Sequence, residues 1–199
     1  MPTSPKRSDI EVKRAGFRVY LRAPRHDDRA PFLAAARASR NLHAGWVRAP
    51  ATPASFRNYV ERFTATATRD PQRATHAGFV VLRAADDALV GVFNFSEIVR
   101  GSFQSAYLGY YAFAPLAGEG YMAEGLTLAL RAAFGTLRLH RVEVNVQPDN
   151  RRSLDFVRGA GFVREGYSRR YVKIAGRWRD HLRFALLAED WRARRRKAR

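Results

Sequence analysis

Apolar and polar residues alternate strictly from Arg141 to Val146, with Val142, Val144 and Val146 on one side. A period of two predicts a half-buried strand. Phe17 to Arg22 alternates in the same way, with Phe17, Val19 and Leu21 facing together until Pro24 ends the run. Gly78 to Arg83 and Ala88 to Phe95 flank Ala85-Asp86-Asp87, which predicts a hairpin. Gln104 to Phe113 makes a further strand, Gly161-Phe162 opens another, and Ala175-Gly176 turns it into a last one, Trp178 to Leu187. Helical spacing fills the intervals. Met122, Leu126, Leu130, Ala133 and Leu137 form an i, i+3/i+4 stripe along the run Tyr121 to Thr136 and one residue past it, the strongest helix signal in the chain. Asp27 or Asp28 caps a helix reaching to about Ser39. Thr52-Pro53 supplies a hydroxyl cap and a first-turn proline for a helix that carries Phe56, Tyr59, Val60 and Phe63 on one face. A short helix, about Arg151 to Gly159, follows Pro148-Asp149-Asn150. These elements predict one mixed α/β (α+β) domain of about seven strands over residues 13–190. A flexible segment 1–12 precedes it, and a basic tail 191–199 is expected to fray.

Composition narrows the classes. A chain of 199 residues, 46% of them hydrophobic, suits a single domain with a sizeable core. The lack of cysteine excludes disulfides, thiolate metal sites and a cysteine nucleophile. No stretch approaches the roughly 20 apolar residues of a membrane helix, and Met1 to Ser8 is polar, without an apolar signal-peptide run. The expectation is a cytoplasmic protein with no membrane partner. Thirty-six Lys and Arg against eighteen Asp and Glu give a formal charge of +18. Such a surface draws polyanions and speeds encounter with them. Nucleic acid, ribosomes and a phosphate-rich cofactor are candidates, beside the plain reading of an arginine-rich composition.

The chemistry-bearing stretch is a strand, then Pro115-Leu116-Ala117-Gly118-Glu119-Gly120, then the strong helix. A glycine-rich turn feeding a helix start exposes unpaired N–H groups beside the positive end of the helix dipole, which suits a pyrophosphate. No GK[ST] follows, so this is not a Walker A loop, and a Rossmann fingerprint would need a third glycine. Alone, the pattern is equally a structural turn.

The order of blocks along the chain adds to this. Tyr107-Leu108-Gly109-Tyr110, Gly118-Glu119-Gly120-Tyr121-Met122-Ala123-Glu124-Gly125-Leu126, His140-Arg141-Val142-Glu143, Asn150-Arg151-Arg152-Ser153, Gly161-Phe162-Val163-Arg164-Glu165-Gly166-Tyr167 and Gly176-Arg177-Trp178-Arg179-Asp180-His181 together resemble the GNAT superfamily. The resemblance is to the ribosomal-protein alanine N-acetyltransferases of RimJ and RimL type, RimJ above all, and extends upstream to Gly91–Ser96 and Val99–Phe103. It implies a twisted, mostly antiparallel sheet with flanking helices, in which the strands Tyr107 to Phe113 and Arg141 to Val146 splay apart. Acetyl-CoA would lie in the notch, its pyrophosphate on the backbone of Leu116 to Met122, that is Ala117, Gly118, Glu119, Gly120, Tyr121 and Met122. Its pantetheine would run beside Tyr110 to Phe113, with the N–H of Phe113 or a neighbour holding the thioester carbonyl. Asn150 would border the cofactor and Arg151 and Arg152 meet its phosphates, a placement that a solvated helix face explains nearly as well.

Amine attack on a thioester needs a base for the ammonium and an acid for the thiolate. The tyrosine acid of many GNAT relatives falls on Val157 here. The resemblance to RimL-type enzymes makes Ser153 the acid, against the plain reading of a helix-start hydroxyl bonded to local backbone. The glutamate of RimI-like relatives falls on Asn145, and the one proposed for RimL on Val172. Glu97, at a strand end, is the candidate base, with Glu143 or water as alternatives. An α-amine, with a pKa of about 7.7 to 8.0, needs less help than a lysine near 10.4. Tyr110 and Trp46 are candidates for lining the substrate slot, while His140, His181 and Trp178 read as structural. The expected reaction is acetyl transfer to the N-terminal α-amine, alanine above all, of a ribosomal protein, with ribosomal RNA as a further contact. Alternatives are a GNAT acting on a small amine or antibiotic, and a ribosome- or RNA-associated module whose transferase activity is secondary.

Overall fold

The computed structural model describes residues 11–64 and 73–197. Its strands are β1 (Glu11–Val12), β2 (Val19–Arg22), β3 (Ala77–Arg83), β4 (Leu89–Val99), β5 (Ser105–Ala112), β6 (Arg141–Val146), β7 (Val163–Ile174) and β8 (Arg177–Leu187). They form one sheet in the order β1-β2-β3-β4-β5-β6-β8-β7. Every adjacent pair is antiparallel except β5–β6, which is parallel. The helices are α1 (Arg29–Ala38), α2 (Arg40–His43), α3 (Pro53–Thr64), α4 (Tyr121–Arg131), α5 (Arg151–Gly159) and α6 (Ala188–Lys197).

Period-two patterning puts a different apolar set on each face of the sheet. Val81, Phe93, Val142, Val144 and Val146 pack with Leu126 of α4 and with Leu154 and Val157 of α5. On the other face, Val80, Leu82, Val92 and Phe113 pack with Phe32 of α1 and with Phe56 and Val60 of α3. The sheet therefore lies between two helical layers, with α4 and α5 on one side and α1 and α3 on the other. Thr52 starts α3 as its hydroxyl predicts, accepting the Ser55 N–H at 3.2 Å.

Four expectations need correction. Among the described residues the sheet has eight strands, because Glu11 and Val12 pair with Arg22 and Leu21 at the end of the segment expected to be flexible. Residues 1–10 and 198–199, the remainder of that segment and the end of the tail, lie outside the described residues. Asp28 does not cap α1 through its side chain. Its carboxylate instead takes a two-pronged bond from Arg22, at 2.8 and 2.6 Å, and the Arg25 N–H at 2.7 Å. The helix predicted to run unbroken to Thr136 changes at Ala132 into a π turn, with the Leu137 N–H reaching back to the Ala132 carbonyl. That wider turn keeps Ala132, Ala133, Phe134 and Leu137 all buried. The basic tail, where it is described, continues as the helix α6. Trp191 packs on Phe134 with ring centroids 5.5 Å apart, and Arg195 lies over Trp191, which anchors α6.

The feature that positions the site lies in the centre of the sheet. The strands β5 and β6 pair only at Ser105–Arg141, Ala106–Val142 and Tyr107–Glu143. Beyond that rung β5 runs on to Ala112 and β6 to Val146 without further pairing, while β6 stays bonded to β8 along its whole length. The expected splay is present.

Candidate functional site

Backbone hydrogen bonds on a strand alternate between its two edges. The Phe113 N–H bonds the Val90 carbonyl at 2.7 Å, so this parity faces β4. Ala112 and Tyr110, of opposite parity, turn their peptide groups towards the gap. This corrects the expectation for Phe113: its N–H is taken and its ring is fully buried, so the neighbour Ala112 presents the donor. The Ala112 carbonyl is held by His43 Nε2 at 2.8 Å.

The turn after β5 is tied down from elsewhere. Ser39, fully buried at the end of α1, donates to the Ala35 carbonyl at 2.7 Å and accepts the Ala114 N–H at 2.8 Å. Gly118 and Gly120 have φ of 94° and 81°, a region costly for residues with a Cβ. A Cβ at Gly118 would meet nothing within 4 Å, so the space above that backbone is open. Gly120 begins α4 with no side-chain cap, and its carbonyl accepts the Ala123 and Glu124 N–H groups. The N–H groups of Gly118, Gly120, Tyr121 and Met122 find no backbone acceptor among the described residues. Such donors at the positive end of a helix suit an anion cradle. Arg18 braces it: its side chain bonds the Glu119 carbonyl at 3.1 Å and Glu124 at 2.6 Å, and it stacks over Tyr121.

The start of α5 faces the same space. Asn150 caps it, accepting the Ser153 N–H at 3.1 Å. The Ser153 hydroxyl does not fold back on local backbone but lies 2.5 Å from the Tyr110 hydroxyl. Burial pushes the Tyr110 phenol far above its usual pKa, partly offset by the bond to Ser153, so it stays protonated. Burial does the same to Tyr111. The cavity enclosed by these parts measures about 740 Å³, within the roughly 300–1,000 Å³ of small-molecule sites.

Most nominated residues converge here. Ala117, Gly118, Gly120, Tyr121 and Met122 line the cavity, as do Asn150, Arg152 and Ser153. Tyr110, Trp46 and His43 line the same cavity. Glu119 belongs to the loop but its side chain is exposed and outside the cavity. Glu97 is not brought in. It is exposed on a bulge of β4 next to Ser96, which pairs with Tyr107 at the closed end of the gap. Glu143 sits at the last β5–β6 rung with its carboxylate engaged by Arg141 at 2.9 Å. No group of three or more potential metal ligands exists among the described residues. Sequence reasoning missed Ser39, His43 and Arg18, whose partners lie 75, 69 and over 100 residues away.

The acetyltransferase (GNAT) domain family matches residues 18–163. The chain belongs to the GNAT family. This GNAT chain is 46% identical over 103 residues to the [ribosomal protein uS5]-alanine N-acetyltransferase of Escherichia coli (strain K12), covering 52% of this chain and 53% of that one. It is 40% identical over 112 residues to the probable N-acetyltransferase YjcK of Bacillus subtilis (strain 168), covering 56% and 62%. The match thus spans only about half to three-fifths of the length of these curated relatives. Among solved structures, Mycobacterium smegmatis RimJ in complex with CoA-disulfide superposes with a TM-score of 0.79 at 26% identity, covering 92% of this chain and 88% of that one. The ribosomal-protein-S5-alanine acetyltransferase of Vibrio fischeri shares the fold, with a TM-score of 0.79 at 22% identity over 92% and 99%.

Replacing Ser39 by Ala removes the acceptor of the Ala114 N–H, a loss of about 0.5–1.5 kcal/mol. The expected outcome is earlier urea unfolding together with faster hydrogen exchange at the Ala114 amide. Unchanged exchange there would show that Ser39 does not secure the turn.

Proposed function

We propose that this chain transfers the acetyl group of acetyl-CoA to the α-amine of an N-terminal alanine on a ribosomal protein. The observation that carries the reading is the set of N–H donors without a backbone acceptor between Gly118 and Met122, opening onto the gap between β5 and β6. A diphosphate suits the cradle, and a narrow thioester arm suits the gap, where the Ala112 N–H would stabilise charge growing on the carbonyl oxygen. The amine nitrogen attacks the thioester carbon, and the ammonium proton passes to water. As the carbon–sulfur bond breaks, the Ser153 hydroxyl gives its proton to the sulfur and recovers one from solvent. Water suffices as base because an α-amine titrates near 7.7–8.0, and no free carboxylate among the described residues lines the cavity beyond the exposed Asp149 and Asp155 at the start of α5.

The Escherichia coli relative, by its name, acts on an alanine of ribosomal protein uS5, which supports the same class of acceptor here. The exposed Arg192, Arg194 and Arg196 of α6, with the overall charge of +18, support an added contact with ribosomal RNA.

Purified uS5 with a free N-terminal alanine should gain one acetyl group by mass spectrometry when incubated with this protein and acetyl-CoA. An unmodified N-terminus on uS5 and on the other ribosomal proteins would end the proposal. Gly118→Asp sets a carboxylate in the cradle at a strained φ, and calorimetry should then find acetyl-CoA binding lost with the circular dichroism of the fold retained. Undiminished binding would refute the loop. Co-sedimentation with ribosomes should weaken steeply as salt rises, because released counterions drive RNA contact; salt-insensitive association would remove the RNA partner.

A further inference from the structure

Two hydroxyl groups share one contact in the cavity wall. Tyr110 Oη and Ser153 Oγ are 2.5 Å apart, at the short end of O–H···O bonds. One proton lies between them and the other points elsewhere, so the direction of the bond decides what Ser153 can do. The Tyr110 ring is held by Phe93 and Phe156, with centroids 6.0 and 5.0 Å away. Its hydroxyl has one further acceptor within reach among the described residues, the Ser153 carbonyl at a long 3.5 Å. Were Ser153 the donor, that long contact would be the phenol proton's sole protein partner among the described residues. Intrinsic acidity agrees: a phenol is a better donor than an alkanol, and the alkanol oxygen is the better acceptor. Tyr110 therefore donates to Ser153, and the Ser153 proton is left to turn into the cavity that both residues line.

We infer that Tyr110 is a positioning residue that fixes Ser153 as a one-way donor aimed at the sulfur of the thioester. This rests on the acetyl-transfer reading and adds the origin of the directionality. Ser153 hands its proton to the sulfur as the carbon–sulfur bond breaks. By donating to the serine oxygen as its proton leaves, Tyr110 stabilises the negative charge that builds on the hydrogen-bonded pair until water reprotonates it. Burial keeps the phenol protonated where an α-amine loses its proton, at about pH 7.7–8.0. A purely structural tyrosine would tolerate loss of its hydroxyl, because the ring contacts survive in phenylalanine.

The test is the ionisation of the thiol of bound CoA, followed by thiolate ultraviolet absorbance in the wild type, Tyr110→Phe, Ser153→Ala and the double variant. In the wild type the bound thiol should ionise at lower pH than free CoA, since a donor faces the sulfur. Each single variant should return it upwards by a similar amount, and the double variant no further. In turnover, Tyr110→Phe should lower kcat about 10- to 100-fold with KM for acetyl-CoA little changed. A Tyr110→Phe protein whose bound thiol titrates as in the wild type overturns the inference, as do losses that multiply in the double variant. Should Tyr110→Phe fail to fold, a fluorinated tyrosine at 110, nearly isosteric and a stronger donor, should move the thiol ionisation downwards; no movement overturns the inference equally. Failure of CoA to bind the wild type sinks the transferase reading and this inference with it. CoA that binds but whose thiol ignores residue 110 sinks this inference alone.

Discussion

Peptide groups inside a protein must be paired, and a strand that loses its neighbour halfway along a sheet leaves a row of them open. In this chain that happens between β5 and β6, where parallel pairing stops after Tyr107 and Glu143. The surrounding architecture answers to this one interruption. The cradle of N–H groups follows directly from the end of β5, the cap of α5 directly from the end of β6, and α2 brings His43 to the exposed edge. The two helical layers keep the sheet intact on both sides of the gap, so the opening is local and does not spread.

Much of this frame was readable in the amino-acid pattern, because its strands are amphipathic and its long helices carry continuous apolar stripes. Val142, Val144 and Val146 marked β6 to the residue, and Asn150 with the hydrophobic spacing behind it marked α5. The glycine-rich turn was visible as a turn; what it could bind was only a possibility of the residue types until the blocks around it were taken together. The remainder depends on contacts that local pattern does not encode. β1 is two residues long and exists only as a partner of β2. The order of α6 rests on Trp191 meeting Phe134, from a helix more than fifty residues earlier. A run of arginines carries no sign of such an anchor.

The site shows the same division more sharply. Which residues approach the gap could be read from their place in the blocks, yet which peptide group faces it depends on strand register. A one-residue difference reverses the edge as it reverses the face, and that is why Phe113 gave way to Ala112. The partner of Ser153 is likewise set by the crossing of β5 under α5, forty-three residues apart in sequence. Glu97 looked suitable as a carboxylate at a strand end, but the bulge after Ser96 turns it to solvent at the wrong end of the sheet.

The bond from His43 to the Ala112 carbonyl has a consequence for solubility. An unpaired strand edge invites any extended polypeptide, including another copy of the chain, to add itself as a new strand and so begin aggregation. With that carbonyl already occupied, an intruding backbone forfeits a rung where the ladder would have to start. The imidazole thus takes up one acceptor of the unpaired edge while leaving the neighbouring amide available.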